Sequence, residues 1–180
     1  MNVFISGGCK NGKSHIAQTI ARDAATAGGR PLYYIATMIP HDAEDRGRIA
    51  RHIKERDGWG FTTIEQPTDL CACLDDGRAD ASGVFLLDSV TALLSNEMFR
   101  EDGSMDYTAP DRVTADLCEF ARRTGSTVFV SDYIYSDAHR YDKSVEDYRR
   151  GLAQADRALA KICERVLEVA YGSVRECKGC

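Results

Sequence analysis

The sequence predicts an α/β domain with a mostly parallel sheet flanked by helices. Short apolar runs alternate with amphipathic stretches along the chain, which is the pattern of strands connected by helices. One run, Val84-Phe85-Leu86-Leu87, is apolar at every position, as expected of a strand covered on both faces. The 180 residues contain no repeat and no linker-like stretch, so we expect a single domain over residues 1–180.

The first half of the chain is predicted to contain three strands, which follow its short apolar runs: Val3 to Ser6, Leu32 to Ala36 and Phe61 to Ile64. Three helices are predicted around them: Lys13 to about Ala27, Ala43 to Arg56, and Pro67 to about Leu74. Gly28-Gly29 ends the first helix because glycine accepts the left-handed conformation of a helix C-terminus. The second helix is highly charged, and Pro67 suits the first turn of the third.

The second half is predicted to contain four further strands: Val84 to Leu87, Thr127 to Val130, Val166 to Ala170 and Ser173 to Glu176. Three helices complete it: Val90 to Phe99, Asp111 to Arg123, and Ser144 to about Cys163. Residues 101–106 are acidic and glycine-containing, which predicts an exposed loop. The last two strands are predicted to form an edge hairpin around Gly172.

Composition and charge exclude several classes of function. The formal net charge of -5 argues against broad binding to nucleic acid or an anionic membrane, because both require surplus Lys and Arg. No apolar run is long enough to span a membrane and no leader pattern begins the chain, so a cytoplasmic protein is expected. The seven cysteines are therefore expected to be mostly free thiols. Zinc binding by Cys71 and Cys73 with Cys177 and Cys180 is the less favoured alternative.

The strongest motif is the phosphate-binding loop Gly7-Gly8-Cys9-Lys10-Asn11-Gly12-Lys13-Ser14, which matches G-x-x-x-x-G-K-[ST] between a predicted strand and helix. Glycines let backbone N–H groups curl around phosphate oxygens, and the helix N-terminus favours an anion. Lys13 is expected to reach the terminal phosphates, and the Ser14 hydroxyl is expected to ligate Mg²⁺. The motif predicts a P-loop enzyme that uses Mg²⁺ with GTP or ATP.

An acidic residue at the end of a neighbouring strand usually completes the magnesium site of such enzymes. Asp88 directly follows the apolar run Val84 to Leu87 and is the first candidate. It could also cap the helix that follows, and the two roles are compatible. Asp132, after the strand that begins at Thr127, is a weaker second candidate.

The helix predicted from Ala43 to Arg56 carries a basic ridge. Arg48, His52 and Arg56 recur every four residues and share one helix face. Ile49 and Ile53 form an adjacent apolar ridge, and packing of this ridge could hold the basic face in place. An imidazole between two guanidinium groups favours its neutral, nucleophilic form. From the residues alone, a solvated amphipathic helix is the favoured alternative.

These motifs together resemble the bifunctional adenosylcobinamide kinase / adenosylcobinamide-phosphate guanylyltransferase family of cobalamin biosynthesis. The matching pieces, in order, are the phosphate-binding loop, Tyr34-Ile35-Ala36-Thr37, Arg48-Ile49-Ala50-Arg51-His52, Arg56, Trp59, Thr63, Glu65, Leu86-Leu87-Asp88-Ser89 and Asn96. Each piece is weak, but their order and spacing over about the first hundred residues are specific. The resemblance implies a RecA-like P-loop fold.

The resemblance also implies two reactions: phosphorylation of a cobinamide hydroxyl, then transfer of GMP from GTP to that phosphate through a guanylylated histidine. It places the histidine at His52, although some members carry two consecutive histidines where this chain has Arg51-His52. It assigns catalysis to His52, Lys13 and Asp88. Besides the loop residues, it assigns nucleotide binding to Thr37, Arg48, Arg56 and Glu65. The resemblance further implies a homo-oligomer, such as a trimer.

The resemblance thins after about residue 125. Family members commonly have Asn-Glu-Val-Gly where this chain has Ser131-Asp132-Tyr133-Ile134, and Asn near Asp156. The segment Tyr133 to Tyr141 is either a rewritten substrate-binding wall or a plain surface loop. A P-loop kinase of another small molecule, or a catalytically silent nucleotide-binding protein, therefore remains an alternative function.

Overall fold

The computed structural model describes residues 1–40, 42–100 and 102–179, apart from five side chains of one helix: Glu44, Asp45, Arg48, His52 and Glu55. Seven strands form one sheet: β1 Val3–Gly7, β2 Leu32–Ala36, β3 Thr62–Glu65, β4 Val84–Asp88, β5 Thr127–Asp132, β6 Arg165–Ala170 and β7 Ser173–Lys178. Their order is β3-β2-β4-β5-β1-β6-β7. Only β7 is antiparallel to its neighbour. The predicted α/β fold with a C-terminal edge hairpin is confirmed.

The helices connect these strands: α1 Lys13–Gly28, α2 Ala43–Glu55, α3 Ala72–Asp75, α4 Val90–Met98, α5 Ala109–Thr124 and α6 Lys143–Ile162. The predicted helix from Pro67 is wrong, since α3 begins only at Ala72. The Gln66 side-chain amide donates hydrogen bonds to the carbonyls of Thr68 and Asp69, at 2.5 and 2.9 Å. Asp69 also has a φ of 49°, which a right-handed helix does not accept. This segment is therefore a loop wrapped around Gln66.

The sheet is covered on both faces, as the apolar run in β4 predicts. Phe85 and Leu87 pack into one buried cluster, with residues of α4, α5 and α6. Val84 and Leu86 point the other way and pack with residues of α1. Side chains of a strand alternate between faces, so four consecutive apolar residues fill both layers.

Parallel strands bring their carboxyl ends to one edge of the sheet, where α/β proteins bind ligands. At this edge Gly7 of β1 lies beside Asp132 of β5, and Asp88 of β4 lies beside Val130 of β5. The sequence favours Asp88 as the acidic residue at the end of a strand next to β1. Strand β5 instead lies between β1 and β4, so the acid at the end of the adjacent strand is Asp132.

Within the described part of the chain, no helix combines the length and apolarity needed to cross a membrane.

Candidate active site

The phosphate-binding loop joins β1 to α1 as the motif predicts. Gly7 ends β1 against β6, and a Cβ there would lie 2.3 Å from the Val169 carbonyl oxygen, so only glycine fits. Gly12 is the N-cap of α1 with a φ of 85°. It offers no side chain to the first-turn N–H groups of α1, which therefore face the loop as anion donors. Cys9 and Lys10 are exposed at the loop tip, with Gly8 and Asn11 half-buried beside them.

Lys13 holds its ammonium group inside this loop. Its Nζ donates to the Gly8 carbonyl oxygen at 2.6 Å and to Asp132 Oδ1 at 2.6 Å. The Lys13 residue is 5% exposed, while the Asp132 side chain is 30% exposed. Ser14 follows in the first turn of α1 and is half-buried. The loop thus combines uncapped amides, a positive charge and a hydroxyl, which is the chemistry of a phosphate site.

The carboxyl end of β4 is held in place by hydrogen bonds. Asp88 Oδ2 accepts from the Tyr34 hydroxyl at 3.1 Å. Thr37 is fully buried, and its hydroxyl donates to the Ser89 carbonyl at 2.9 Å and accepts from the Ser89 N–H at 2.7 Å. Ser89, not Asp88, caps α4, because its Oγ accepts from the Ala92 N–H. Asp88 therefore has no part in capping, and Thr37 positions the corner that carries it.

A cavity of about 490 Å³ opens beside Asp88, between the ends of β2 and β4 and helix α2. Its lining is mostly apolar and includes Met38, Ile39, Pro40, Ile49 and Ile53. Arg46, Arg56, Asp88 and Glu65 supply the charged groups. A mainly apolar cavity with a few convergent polar groups is the usual form of a small-molecule site.

Arg56 lies at the inner side of this cavity and is 7% exposed. Its guanidinium carbon is 3.9 Å from the centroid of the Tyr34 ring, and its Nη2 donates to Thr63 Oγ1 at 3.3 Å. Tyr34 therefore connects Arg56 with Asp88 through its ring and its hydroxyl. Glu65 is exposed at the end of β3.

Helix α2 forms where it is predicted, and Arg48 and His52 lie within it. Their side chains lie outside the described part of the structure, so the basic ridge stays a prediction. The adjacent Ile49 and Ile53 line the cavity, and Ile53 is 52% exposed. Helix α2 thus presents an apolar surface to the same space that Arg56 and Asp88 face.

Comparison with known proteins identifies the family. The family model described as cobinamide kinase / cobinamide phosphate guanyltransferase matches residues 3–176. The chain belongs to this family. It is 28% identical to the bifunctional adenosylcobalamin biosynthesis protein CobP of Pseudomonas aeruginosa, over 99% of this chain and 98% of that protein. It is 24% identical to the CobU protein of Salmonella typhimurium, over 96% and 97% of the two chains.

Solved structures support the fold alone. A KaiC-like protein of Pyrococcus horikoshii matches with a TM-score of 0.55 and 14% identity, over 99% of this chain and 78% of that one. The flagellar accessory protein FlaH of Methanocaldococcus jannaschii matches with a TM-score of 0.53 and 13% identity, over the same shares. The expected RecA-like P-loop architecture is confirmed by these neighbours.

Ser131 and Asp156, two positions at which the resemblance thins, are both buried. The Tyr135 hydroxyl donates to Asp156 Oδ2 at 2.8 Å, and Asp156 is 3% exposed. The buried Asp156 Oδ1 and Ser131 Oγ have no hydrogen-bond partner among the described residues. Burial raises the pKa of Asp156 to about 6, although the hydrogen bond from the Tyr135 hydroxyl acts in the opposite direction. The sequence alone does not predict the contact between Tyr135 and Asp156.

The segment from Tyr133 to Tyr141 begins at the phosphate-binding loop, since the Tyr133 N–H donates to the Gly7 carbonyl at 3.2 Å. Beyond it, the buried Arg149 of α6 donates hydrogen bonds to the carbonyls of Ile134, Asp137 and His139 and to the Asp137 carboxylate. The segment lacks regular secondary structure, but the hydrogen bonds from Arg149 hold its backbone in place. Both interpretations, a substrate-binding wall and a plain surface loop, stay predictions.

No three His, Cys, Asp or Glu side chains come together as metal ligands in the described ranges. Cys71 and Cys73 are free thiols, and burial raises the pKa of each to about 11. Cys177 is an exposed free thiol, and Cys180 lies outside the described residues.

Proposed function

We propose that this chain is an adenosylcobinamide kinase and adenosylcobinamide-phosphate guanylyltransferase, a transferase that performs two consecutive steps of cobalamin biosynthesis. The observation that carries the proposal is the placement of two sites at one sheet edge. A phosphate-binding loop lies at the end of β1, and the cavity beside Asp88 is bounded by α2, the helix that contains the Arg-Ile-x-x-His element. One nucleotide site and one adjoining site suit an enzyme that moves groups between a triphosphate and a second substrate.

In the kinase step the loop from Gly7 to Ser14 holds the triphosphate of GTP or ATP. The amides of Gly8, Cys9, Lys10, Asn11 and Gly12 surround the phosphates, and Lys13 neutralises the charge that develops on the terminal phosphate. Positioning and charge neutralisation supply most of the catalysis in phosphoryl transfer.

The residues present fit a magnesium ion. Ser14 and Asp88 offer a hydroxyl and a carboxylate, the hard oxygen ligands that Mg²⁺ prefers. When bound, the ion would neutralise phosphate charge and orient the phosphates. Asp88 is kept at the end of β4 by Tyr34 and by the corner that Thr37 holds. Thr37 therefore acts in this proposal by positioning Asp88.

In the guanylyltransferase step His52 would attack the α-phosphate of GTP and carry GMP as a phosphoramidate. Arg48 and Arg56 would stabilise the phosphate charge, and Glu65 would contact the base or the acceptor at the cavity mouth. The stacking of Arg56 on Tyr34 supports its part, since it keeps a buried guanidinium beside the cavity.

A product assay tests the proposal. Purified protein is incubated with Mg-GTP and adenosylcobinamide, and the corrinoid products are separated and weighed by mass spectrometry. We expect adenosylcobinamide phosphate first and adenosyl-GDP-cobinamide second, and neither from Lys13→Ala. Asp88→Asn should remove Mg²⁺-dependent turnover while preserving the melting temperature, and wild-type rates in this variant would contradict its assignment to magnesium. GTP binding by the wild type without any corrinoid product would contradict the function.

A second candidate is a P-loop kinase of a different alcohol. The observation that favours it is that Ser131 and Asp156 depart from the family pattern, and that Ser131 lies beside Ser6, close to the start of the phosphate-binding loop. Phosphorylation of another small alcohol, without turnover of cobinamide, would identify this case. The family resemblance also supports a homo-oligomer, which sedimentation velocity tests.

A further inference from the structure

Two acidic residues end neighbouring strands at the active-site edge, and their surroundings differ. Asp88 of β4 accepts a hydrogen bond from the Tyr34 hydroxyl and borders the cavity. Asp132 of β5 contacts the Lys13 ammonium at 2.6 Å. The proposed function uses Asp88 for magnesium and leaves Asp132 without a role.

We propose that Asp132 is the general base of the phosphorylation step, the group that removes the proton from the acceptor hydroxyl. This inference rests on the proposed kinase function and assigns a further catalytic residue to the same site. Three features of Asp132 carry it: its place relative to the terminal phosphate, its exposure and its fixed backbone.

The contact with Lys13 places the Asp132 carboxylate relative to the terminal phosphate. The lysine of this motif reaches the terminal phosphates, so a carboxylate that accepts from the same ammonium lies at the terminal-phosphate end of the loop. The register agrees, because Asp132 is the neighbour of Gly7, where the loop begins. An acceptor hydroxyl that attacks the terminal phosphorus must approach at this end, within hydrogen-bond reach of a base.

Exposure and rigidity suit the same role. The Asp132 side chain is 30% exposed, so a substrate can reach it, whereas the Lys13 side chain is 6% exposed. The Asp132 N–H donates to Thr91 Oγ1 at 2.9 Å, and the next N–H, that of Tyr133, donates to the Gly7 carbonyl. These two bonds fix the backbone on both sides of the carboxylate, which preorganises it toward the loop.

The step balances without any further reactant. The acceptor proton moves to a carboxylate oxygen of Asp132, while the acceptor oxygen forms its bond to the terminal phosphorus. The bond from that phosphorus to the bridging oxygen breaks, and the nucleoside diphosphate leaves with the electron pair. Asp132 afterwards releases the proton to solvent.

The two activities of the enzyme provide an internal control. Guanylylation of a neutral imidazole, and attack by an already ionised cobinamide phosphate, require no deprotonated alcohol. Loss of the base should therefore impair phosphorylation and spare nucleotidyl transfer. Loss of a magnesium ligand would impair both, because both use GTP phosphates.

The experiment compares Asp132→Asn with wild type and with Asp23→Asn, a substitution at an exposed aspartate of α1. Each protein is assayed separately for phosphorylation of adenosylcobinamide and for formation of GDP-cobinamide from supplied adenosylcobinamide phosphate. Melting temperature, affinity for a fluorescent GTP analogue and the magnesium concentration for half-maximal rate are measured alongside. We expect the phosphorylation rate of Asp132→Asn to fall by about 10²–10⁴-fold, the usual contribution of a general base, with the other measurements unchanged.

Three results would contradict the role of Asp132 as general base. Undiminished phosphorylation in Asp132→Asn would overturn the inference, and so would an equal loss of both activities with a raised magnesium requirement. A large drop in melting temperature or in GTP affinity would show a structural role instead. Wild-type protein that binds GTP but phosphorylates no cobinamide would refute the proposed function itself, which separates the two failures.

Discussion

Replacing Asp156 by asparagine should stabilise the protein at neutral and alkaline pH. Burial raises the pKa of Asp156 from its ordinary 3.8 to about 6. One pKa unit corresponds to about 1.4 kcal/mol, so ionising this carboxyl costs the folded state about 3 kcal/mol. The stabilising contribution of the protonated form is complete below about pH 4 and is lost as the pH rises through about 6. Wild type therefore bears the full cost at pH 8.

Asparagine at this position carries no charge and offers better hydrogen bonding. Its carbonyl oxygen can accept from the Tyr135 hydroxyl, as Asp156 Oδ2 does, and its amide can donate to the unpartnered Ser131 Oγ. We expect Asp156→Asn to be more stable than wild type at pH 8 by up to about 3 kcal/mol, and this difference to fall to about half at pH 5.

Urea unfolding followed by the fluorescence of Trp59, the single tryptophan, measures this difference. The Trp59 ring lies against Arg22 and His15 of α1, so its emission reports on the folded state. Asp23→Asn is the control and should follow wild type at every pH. Equal stability of Asp156→Asn and wild type at pH 8, or a difference that does not change with pH, would refute the argument from burial.

Three further predictions concern the nucleophile, the core and the phosphate-binding loop. His52→Ala should abolish the GMP adduct that intact-mass analysis detects after GTP treatment. His15→Ala, a substitution beside the loop, should keep the adduct. An adduct that persists in His52→Ala would contradict the assignment of His52. Phe85→Ala should lower the free energy of unfolding by about 3–5 kcal/mol in urea titrations, because this fully buried ring packs in the centre of the sheet. A loss below about 1 kcal/mol would be inconsistent with that packing. Gly7→Ala should reduce the affinity for a fluorescent GTP analogue and lower the melting temperature, because the Cβ of the alanine would clash with the Val169 carbonyl oxygen. An unchanged affinity and an unchanged melting temperature would contradict the close approach of β1 and β6.

The phosphate-binding loop was predictable because its signals are local. Strand β1, the three loop glycines, Lys13-Ser14 and helix α1 follow one another within residues 3–28, and each favours the same strand–loop–helix conformation. The short apolar runs likewise place the central strands, because strands that are covered on both faces are apolar at successive positions. The helix predicted at Pro67 is wrong because a side chain outside that window, Gln66, binds the backbone carbonyls that a helix would have used.

The composition of the site depends on contacts between distant residues, which local patterns do not encode. Lys13 and Asp132 are 119 residues apart in sequence, and only the insertion of β5 between β1 and β4 brings them together. Tyr135, in the segment after β5, likewise contacts Asp156 of α6, which is 21 residues further along the chain. The departures at Asp132 and Asp156 were visible in the sequence, but the partners of these two residues required the fold.

The most direct test of the central claim follows two labels from one nucleotide. GTP carrying distinguishable labels in its α- and γ-phosphates is supplied as the only nucleotide, with Mg²⁺ and adenosylcobinamide, and the corrinoid products are isolated. We expect an intermediate with the γ-label alone, followed by GDP-cobinamide with both labels in equal amounts. A product that retains only the γ-label would reduce the enzyme to a kinase, and unlabelled corrinoid in the presence of bound GTP would contradict both activities.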